Sequence, residues 1–324
     1  MTSEPLLEID NLVTRFPTKR GPLTAVDGVS LTLERRETLG LVGESGSGKS
    51  VLGLSVMRLV QPPGRIDRGT IRFDGRSLLD LAPEEMRRLR GQRLAMIFQD
   101  PTATLNPVLT IGDQIAEVLR WHSPEMSPGE MRERVVAMLD KVGIPNAGRR
   151  YGDYPHEFSG GMQQRVIIAA ALILNPALVI ADEPTTALDV TVQAQILELL
   201  RKLKDGEPET AIILVSHDLG VVGEMCERIA VMYAGNLVEV ASADDILDDP
   251  KHPYTVGLIA SIPRLDREAG ALQPIPGRLA DPVSPPPGCK FNPRCARAFD
   301  RCRVERPVLK AVGPGRQVAC HLHD

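Results

Sequence analysis

An eight-residue loop, Gly43–Ser50, carries the residue types needed to bind a phosphate chain, in the pattern G-x-x-x-x-G-K-[ST]. Glycines let the backbone curl so that its N–H groups point at phosphate oxygens, and a helix that begins near Gly48 adds its positive end. Lys49 supplies a mobile charge for the β- and γ-phosphates, and Ser50 supplies a hydroxyl for Mg²⁺. A flexible glycine turn is the alternative, but a strand-like run precedes this loop and a helical pattern follows it. The predicted ATP-binding residues are Gly43, Glu44, Ser45, Gly46, Ser47, Gly48, Lys49 and Ser50.

Three further segments end in side chains suited to phosphoryl chemistry. Residues 178–183 form an apolar run that ends in two carboxylates. Asp182 would orient the Mg²⁺ shell, and Glu183 would polarise the attacking water. Gln99 and His217 each follow an apolar run, so Gln99 could reach Mg²⁺ or water and His217 the γ-phosphate. Taken singly, each of these residues could have a purely structural role, because acidic pairs are common on surfaces and a lone histidine or glutamine is more often structural.

A second candidate anion site lies at Ser159, Gly160 and Gly161, where two glycines follow a serine and open an apolar helix. Gln163 lies in the first turn of this helix. The first anion site lies more than a hundred residues earlier, and two separate sites would be explained if each copy bound the far side of a partner's ATP. Two chains would then clamp two nucleotides between them.

The elements that must position these residues alternate between strands and helices. Four short apolar runs predict buried parallel strands, and helical patterns separate them. The predicted strands are 39–42, 94–98, 178–181 and 212–215, and the predicted helices include 128–142 and 189–203. The pattern predicts an α/β domain whose ligands collect at the carboxyl ends of the strands.

Composition narrows the class of protein. The chain has 324 residues, 43% of them hydrophobic, and a formal net charge of −4, which argues against a protein that coats nucleic acid. No segment approaches the ~18 apolar residues of a membrane span, and the N-terminus shows no secretory signal. We therefore expect a soluble, cytoplasmic protein that binds no nucleic acid.

In this order, the motifs resemble those of the nucleotide-binding subunit of an ABC transporter. The signature departs slightly from the family's commonest wording, with Phe158 and Met162 in place of Leu and Gln. The resemblance implies a P-loop NTPase cassette with a RecA-like parallel sheet core, an antiparallel β subdomain and a helical subdomain at about 102–164. It also implies a role for Asp189 after Ala187 and Leu188, and places an aromatic residue on the adenine, for which Phe16 is the candidate. Packing on an edge strand is the alternative for Phe16.

The C-terminal part resembles that of the ATPase subunits of dipeptide and oligopeptide importers. The shared features are His252-Pro253-Tyr254-Thr255, a connector (262–288) with seven prolines, and a small cysteine-rich extension. The predicted domains are 1–258 for the cassette and 259–324 for the connector and extension. The resemblance implies a heterodimer with a second, related ATPase, two membrane permease subunits and an external peptide-binding protein. The chain would then lie on the cytoplasmic face of the inner membrane.

Four cysteines, Cys289, Cys295, Cys302 and Cys320, lie in the extension with the spacing C-x5-C-x6-C-x17-C. This spacing is looser than the paired cysteines of zinc ribbons and favours a four-iron four-sulfur cluster, which the family resemblance also implies. Zinc binding and free or disulfide-linked cysteines are the alternatives. Cys226 is predicted to be a plain buried cysteine in a helix.

The predicted function is ATP hydrolysis that drives import of di- or oligopeptides through closure and reopening of a two-cassette dimer. An importer of nickel, glutathione or sugars would share this architecture. A soluble ABC ATPase of translation or DNA repair is a rival from another class, but such proteins carry two cassettes or long coiled coils. Neither feature is visible in this sequence.

Overall fold

The computed structural model describes residues 4–186, 188–206, 209–261 and 275–324. The chain divides into two compact units: Met1–Asp80 with Leu214–Asp324 forms the first, and Leu81–Ile213 forms the second. Both units combine strands with helices, so the predicted α/β class is confirmed. Ala187, and residues 262–274 of the predicted connector, lie outside the described residues. No helix in the described ranges combines the length and the apolar character that a bilayer crossing requires.

The described residues form regular elements throughout both units. The strands are β1 (Leu7–Thr18), β2 (Gly21–Leu33), β3 (Thr38–Val42), β4 (Arg65–Phe73), β5 (Arg76–Ser77), β6 (Leu94–Ile97), β7 (Leu178–Asp182), β8 (Ala211–Ser216), β9 (Arg228–Tyr233), β10 (Asn236–Ser242), β11 (Lys310–Gly313) and β12 (Arg316–Val318). The helices are α1 (Lys49–Val56), α2 (Pro83–Gln92), α3 (Pro101–Thr104), α4 (Ile111–His122), α5 (Pro128–Lys141), α6 (Ala147–Arg150), α7 (Gly160–Leu172), α8 (Val190–Asp205), α9 (Leu219–Met225), α10 (Ala243–Asp248), α11 (Pro253–Ala260) and α12 (Asp300–Val304).

The strands of the first unit belong to two sheets. One is antiparallel, in the order β2-β1-β4-β5. In the other, β3 pairs in parallel with β9, and β9 forms an antiparallel hairpin with β10 through a turn at Ala234-Gly235. The C-terminal extension joins this sheet, because β12 pairs with β10 and β11 pairs with β12. All five residues of β3 are buried, as expected for a core strand that leads into the phosphate loop.

In the second unit, β6 pairs in parallel with β7, from Leu94 opposite Leu178 to Ile97 opposite Ala181. This register brings the carboxyl ends of both strands side by side. Helix α5 begins as predicted, because Ser127 and Glu130 form a capping box. Helix α7, the apolar helix predicted to open at the two glycines, runs from Gly160 to Leu172.

Candidate active site

The backbone of the phosphate loop can be built only with glycine at two positions. Gly43 has a φ of 155° and Gly48 a φ of 107°. A Cβ atom on Gly43 would lie 2.1 Å from the carbonyl oxygen of Met232, and one on Gly48 would lie 2.2 Å from that of Ala25. Both contacts are with main chain, so no side-chain movement could relieve them. The glycines of the motif therefore let the loop run against β2 and β9, at the entrance to α1.

Lys49 and Ser47 line the inside of this loop. The ammonium group of Lys49 donates to the carbonyl oxygens of Gly43, at 2.7 Å, and Glu44, at 3.1 Å. The Oγ atom of Ser47 is buried and makes no hydrogen bond to any described residue. A buried hydroxyl without a partner is costly unless a ligand satisfies it. The loop therefore fits a phosphate chain, for which Lys49 would exchange its carbonyl partners for phosphate oxygens. Ser50 lies in the first turn of α1.

Glu183 is held in a defined orientation at the end of β7. Its φ is 45°, an uncommon conformation for a non-glycine residue, and it follows the buried Asp182. Its Oε2 atom accepts hydrogen bonds from Gln99 Nε2, at 3.1 Å, and from Thr186 Oγ1, at 2.8 Å. The parallel pairing of β6 with β7 explains why Gln99 reaches it. A carboxylate oriented by two donors suits a base that must face one water molecule.

The signature residues form a capped helix start that is open to solvent. Ser159 caps α7, its Oγ atom accepting a hydrogen bond from the Met162 N–H. Ser159 and Gly160 are exposed. Gly161 is close-packed instead, since a Cβ atom there would lie 2.6 Å from Val192. Gln163 turns back into its own loop, where its Nε2 atom donates to the carbonyl oxygen of Pro155, at 2.8 Å.

The remaining predicted residues take up simple local roles. Asp189 caps α8, accepting a hydrogen bond from the Val192 N–H at 2.9 Å. Phe16 lies on β1 and its ring packs against Gly64. A Cβ atom added to Gly64 would lie only 2.3 Å from the ring. His217 is exposed just after β8.

The two units divide the predicted site residues between them. The phosphate loop, Phe16 and His217 belong to the first unit. Gln99, Asp182, Glu183, Ser159, Gly160, Gly161, Gln163 and Asp189 belong to the second. The roles assigned to all of these site residues, including Phe16, Gln163 and His217, stay predictions.

Sequence reasoning missed Thr186, Arg294 and the contact that Tyr254 makes with the phosphate loop. Thr186 lies three residues after Glu183, and that short spacing was a usable signal. Tyr254 belongs to the quoted His252–Thr255 motif, but nothing in that motif indicates its partner. No local pattern pointed to Arg294.

The four cysteines of the extension line one small cavity of about 10 Å³, which is roughly the space needed by one water molecule. Burial raises the pKa of Cys289 to about 11, and it also raises those of Cys295 and Cys320. Within the described residues, no group of three or more His, Cys, Asp or Glu side chains is arranged to hold a metal ion. The cavity as it stands does not fit a four-iron cluster. The iron–sulfur prediction therefore gains no support here. Cys226 is buried as predicted, but its expected place in a helix was wrong, because its extended backbone follows the end of α9.

Comparison with protein families gives two matches. The model described as "ABC transporter" matches residues 26–186. The model described as "Oligopeptide/dipeptide transporter, C-terminal region" matches residues 238–302. The second match runs from β10 into α12, so it covers much of the segment that includes the cysteines.

Curated relatives are similar over nearly the full chain. A putative peptide import ATP-binding protein of Brucella abortus is 51% identical, covering 99% of this chain and 96% of its own. The oligopeptide transport ATP-binding protein OppD of Salmonella typhimurium is 50% identical, with coverages of 97% and 93%. The dipeptide transport ATP-binding protein DppD of Bacillus subtilis is 47% identical, with coverages of 99% and 96%.

Among solved structures, a dimeric bacterial ABC transporter cassette superposes with a TM-score of 0.66 at 28% identity. The match covers 73% of this chain and 98% of the cassette. The same cassette bound to ADP and phosphate, after hydrolysis, superposes equally well.

Proposed function

The chain belongs to the family of ABC transporter ATP-binding proteins, and from that premise we propose that it powers the import of di- and oligopeptides. As a member of this family it is an ATPase. The proposed substrate class rests on relatives that are named for peptide transport and that match nearly the whole chain. The match of residues 238–302 to a peptide-transporter model is independent support.

In the proposed mechanism, Lys49 exchanges its bonds to loop carbonyls for bonds to the β- and γ-phosphates of ATP. Mg²⁺, when bound through Ser50, Gln99 and Asp182, would neutralise charge on the phosphates. Glu183 accepts a proton from the attacking water as the water oxygen bonds to the γ-phosphorus. The bond from the γ-phosphorus to the bridging oxygen breaks, and ADP leaves with that oxygen. His217 would contact the γ-phosphate.

The signature completes the proposed site from a partner chain. Ser159 and Gly160 are exposed at the start of α7, and this is what a surface that reaches another chain's nucleotide requires. ATP binds the closed dimer more tightly than the open one, so it shifts the population toward closure, and hydrolysis reverses this shift. The proposed partners are a second, related ATPase, two permease subunits and an external peptide-binding protein. The proposed location is the cytoplasmic face of the inner membrane.

A substitution of the base tests the catalytic assignment. Glu183→Gln removes the proton acceptor but keeps an oxygen that can accept from Gln99 and Thr186. We expect ATP binding to persist and turnover to fall by more than ~100-fold. Glu133→Gln, a change to an exposed glutamate of α5 in the same unit, is the control and should hydrolyse normally. Near-normal turnover in the Glu183 variant would remove this residue from its role.

Purification of the intact membrane complex tests the substrate class. In proteoliposomes that also contain the binding protein, the ATPase activity of the complex should rise when peptides are added. Mass spectrometry of the purified complex should find co-purified peptides. Stimulation by nickel, glutathione or a sugar alone would favour the related importers. Recovery only with ribosomes or DNA would refute membrane import.

The iron–sulfur cluster stays a finer part of the same proposal and rests on the spacing of the four cysteines, because the cavity that their thiols line is too small for a cluster as it stands. The thiols would have to separate to admit a cluster. Anaerobic purification followed by iron and sulfide analysis should give about four irons per chain. Stoichiometric zinc without iron, or metal-free protein, would remove the cluster.

A further inference from the structure

Glu44, the second residue of the phosphate loop, is held by two residues that lie more than 200 positions later in the chain. Its carboxylate accepts hydrogen bonds from Nη1 and Nη2 of Arg294, at 2.6 and 2.9 Å. Its backbone N–H donates to the hydroxyl of Tyr254 at 2.8 Å. All three residues belong to the first unit. The loop therefore depends on side chains that no nucleotide-binding motif contains.

Arg294 is itself fixed in place. Its side chain is only 4% exposed, and its Nε atom donates to the carbonyl oxygen of Pro276 at 2.8 Å. A further guanidinium bond reaches the carbonyl oxygen of Ile275, and Gly277 approaches the aliphatic part of the side chain. The hydrogen bond to Glu44 is the largest cause of a pKa for Arg294 that lies above its usual range. Because these contacts fix the planar guanidinium group of Arg294 in one orientation, the group in turn constrains the Glu44 carboxylate that it binds.

Glu44 passes this constraint to the residues that meet phosphate. Its carbonyl oxygen accepts hydrogen bonds from the Lys49 ammonium and the Ser47 N–H, each at 3.1 Å. A shift of the Glu44 backbone would therefore move both groups. We propose that Arg294 is a positioning residue for the phosphate loop, acting through Glu44 to hold the backbone from which Lys49 engages ATP.

A purely structural role is the competing explanation, in which Arg294 only tethers the extension. The chain offers a matched control for it. Arg306 binds the carboxylate and the carbonyl oxygen of Asp27 on β2, at 2.9 and 2.7 Å, and so tethers the same extension without touching the loop. Loss of a tether alone should lower stability without changing the affinity for ATP.

The experiment measures binding of a fluorescent ATP analogue to the full chain, with the melting temperature recorded for each variant. Arg294→Lys keeps the charge but loses the fork, and should weaken binding on the order of 5- to 20-fold. Arg306→Met should bind like the unsubstituted chain, even where it melts lower. Unchanged affinity in Arg294→Lys, or equal weakening in Arg306→Met, would overturn the proposal.

A double substitution tests whether Arg294 acts through Glu44. The double variant Arg294→Met, Glu44→Gln should bind ATP no more weakly than the poorer binder of the two single variants. Both substitutions remove the same Arg294–Glu44 interaction, so their losses should not add. Additive losses would place Arg294 outside that pathway. The readout is ATP binding by the chain alone, so failure here leaves the proposal of peptide import untouched.

Discussion

Gly48→Ala tests whether the phosphate loop needs its exact backbone, and the structure sets the size of the effect. At a φ of 107° an alanine is strained by about 1–3 kcal/mol. Its Cβ atom would also lie 2.2 Å from the carbonyl oxygen of Ala25 in β2, which cannot rotate away. We expect a combined cost of about 3 kcal/mol, which lowers the melting temperature by roughly 6–12 °C. ATP affinity should fall by more than ~10-fold, because the loop must leave its position to avoid the contact.

Gly46→Ala is the matched control in the same loop. Its φ is also positive, at 80°, but the added Cβ atom would meet only a Leu279 side-chain methyl group at 3.5 Å. We expect a loss of about 1 kcal/mol and a shift of roughly 2–4 °C. Differential scanning fluorimetry with and without MgATP, together with analogue binding, measures both effects. Equal shifts for Gly46→Ala and Gly48→Ala, or unchanged nucleotide binding in Gly48→Ala, would refute the argument from main-chain contact.

Three further predictions follow from single groups. Ser47→Ala should leave the ATP-free chain as stable as before, since the hydroxyl has no partner among the described residues, and should weaken MgATP binding measured by calorimetry. Phe16→Ala should weaken ATP binding more than Phe16→Tyr does, because tyrosine keeps a ring beside Gly64; equal affinities would exclude adenine stacking. His252 is buried, which lowers its pKa to about 3, and its Nδ1 atom accepts from the Tyr254 N–H. Because the unfolded chain binds this proton below about pH 6.5, stability should fall as pH drops from there, by at most about 1.4 kcal/mol per unit. His252→Asn, which can keep the cap, should flatten that slope in urea titrations at pH 4–7.

The features that could be predicted from the sequence are those written in consecutive residues. The phosphate loop, the strand ending at Asp182 and the helix starts near Ser127, Ser159 and Asp189 each occupy a few neighbouring positions. Their local chemistry therefore identifies them without a fold. The partners of Glu183 were only half predictable, because Gln99 reaches it through the pairing of two strands.

The contacts that escaped prediction join distant segments. Arg294 and Glu44 are separated by 250 positions, and no spacing rule relates an arginine between two cysteines to a phosphate loop. The cysteine spacing shows the opposite case. The four cysteines identified by their spacing do line one cavity, but the spacing does not determine what, if anything, their thiols bind.

The long reach from Arg294 back to Glu44 also sets an order of events during protein synthesis. At about 5–20 residues per second, Arg294 is added roughly 12–50 s after Glu44. Throughout that interval the nascent cassette carries its phosphate loop without the arginine that orients it. The chain thus reaches its full affinity for nucleotide only when its C-terminal extension has been synthesised. A product that ends before Arg294 would compete poorly for cellular ATP.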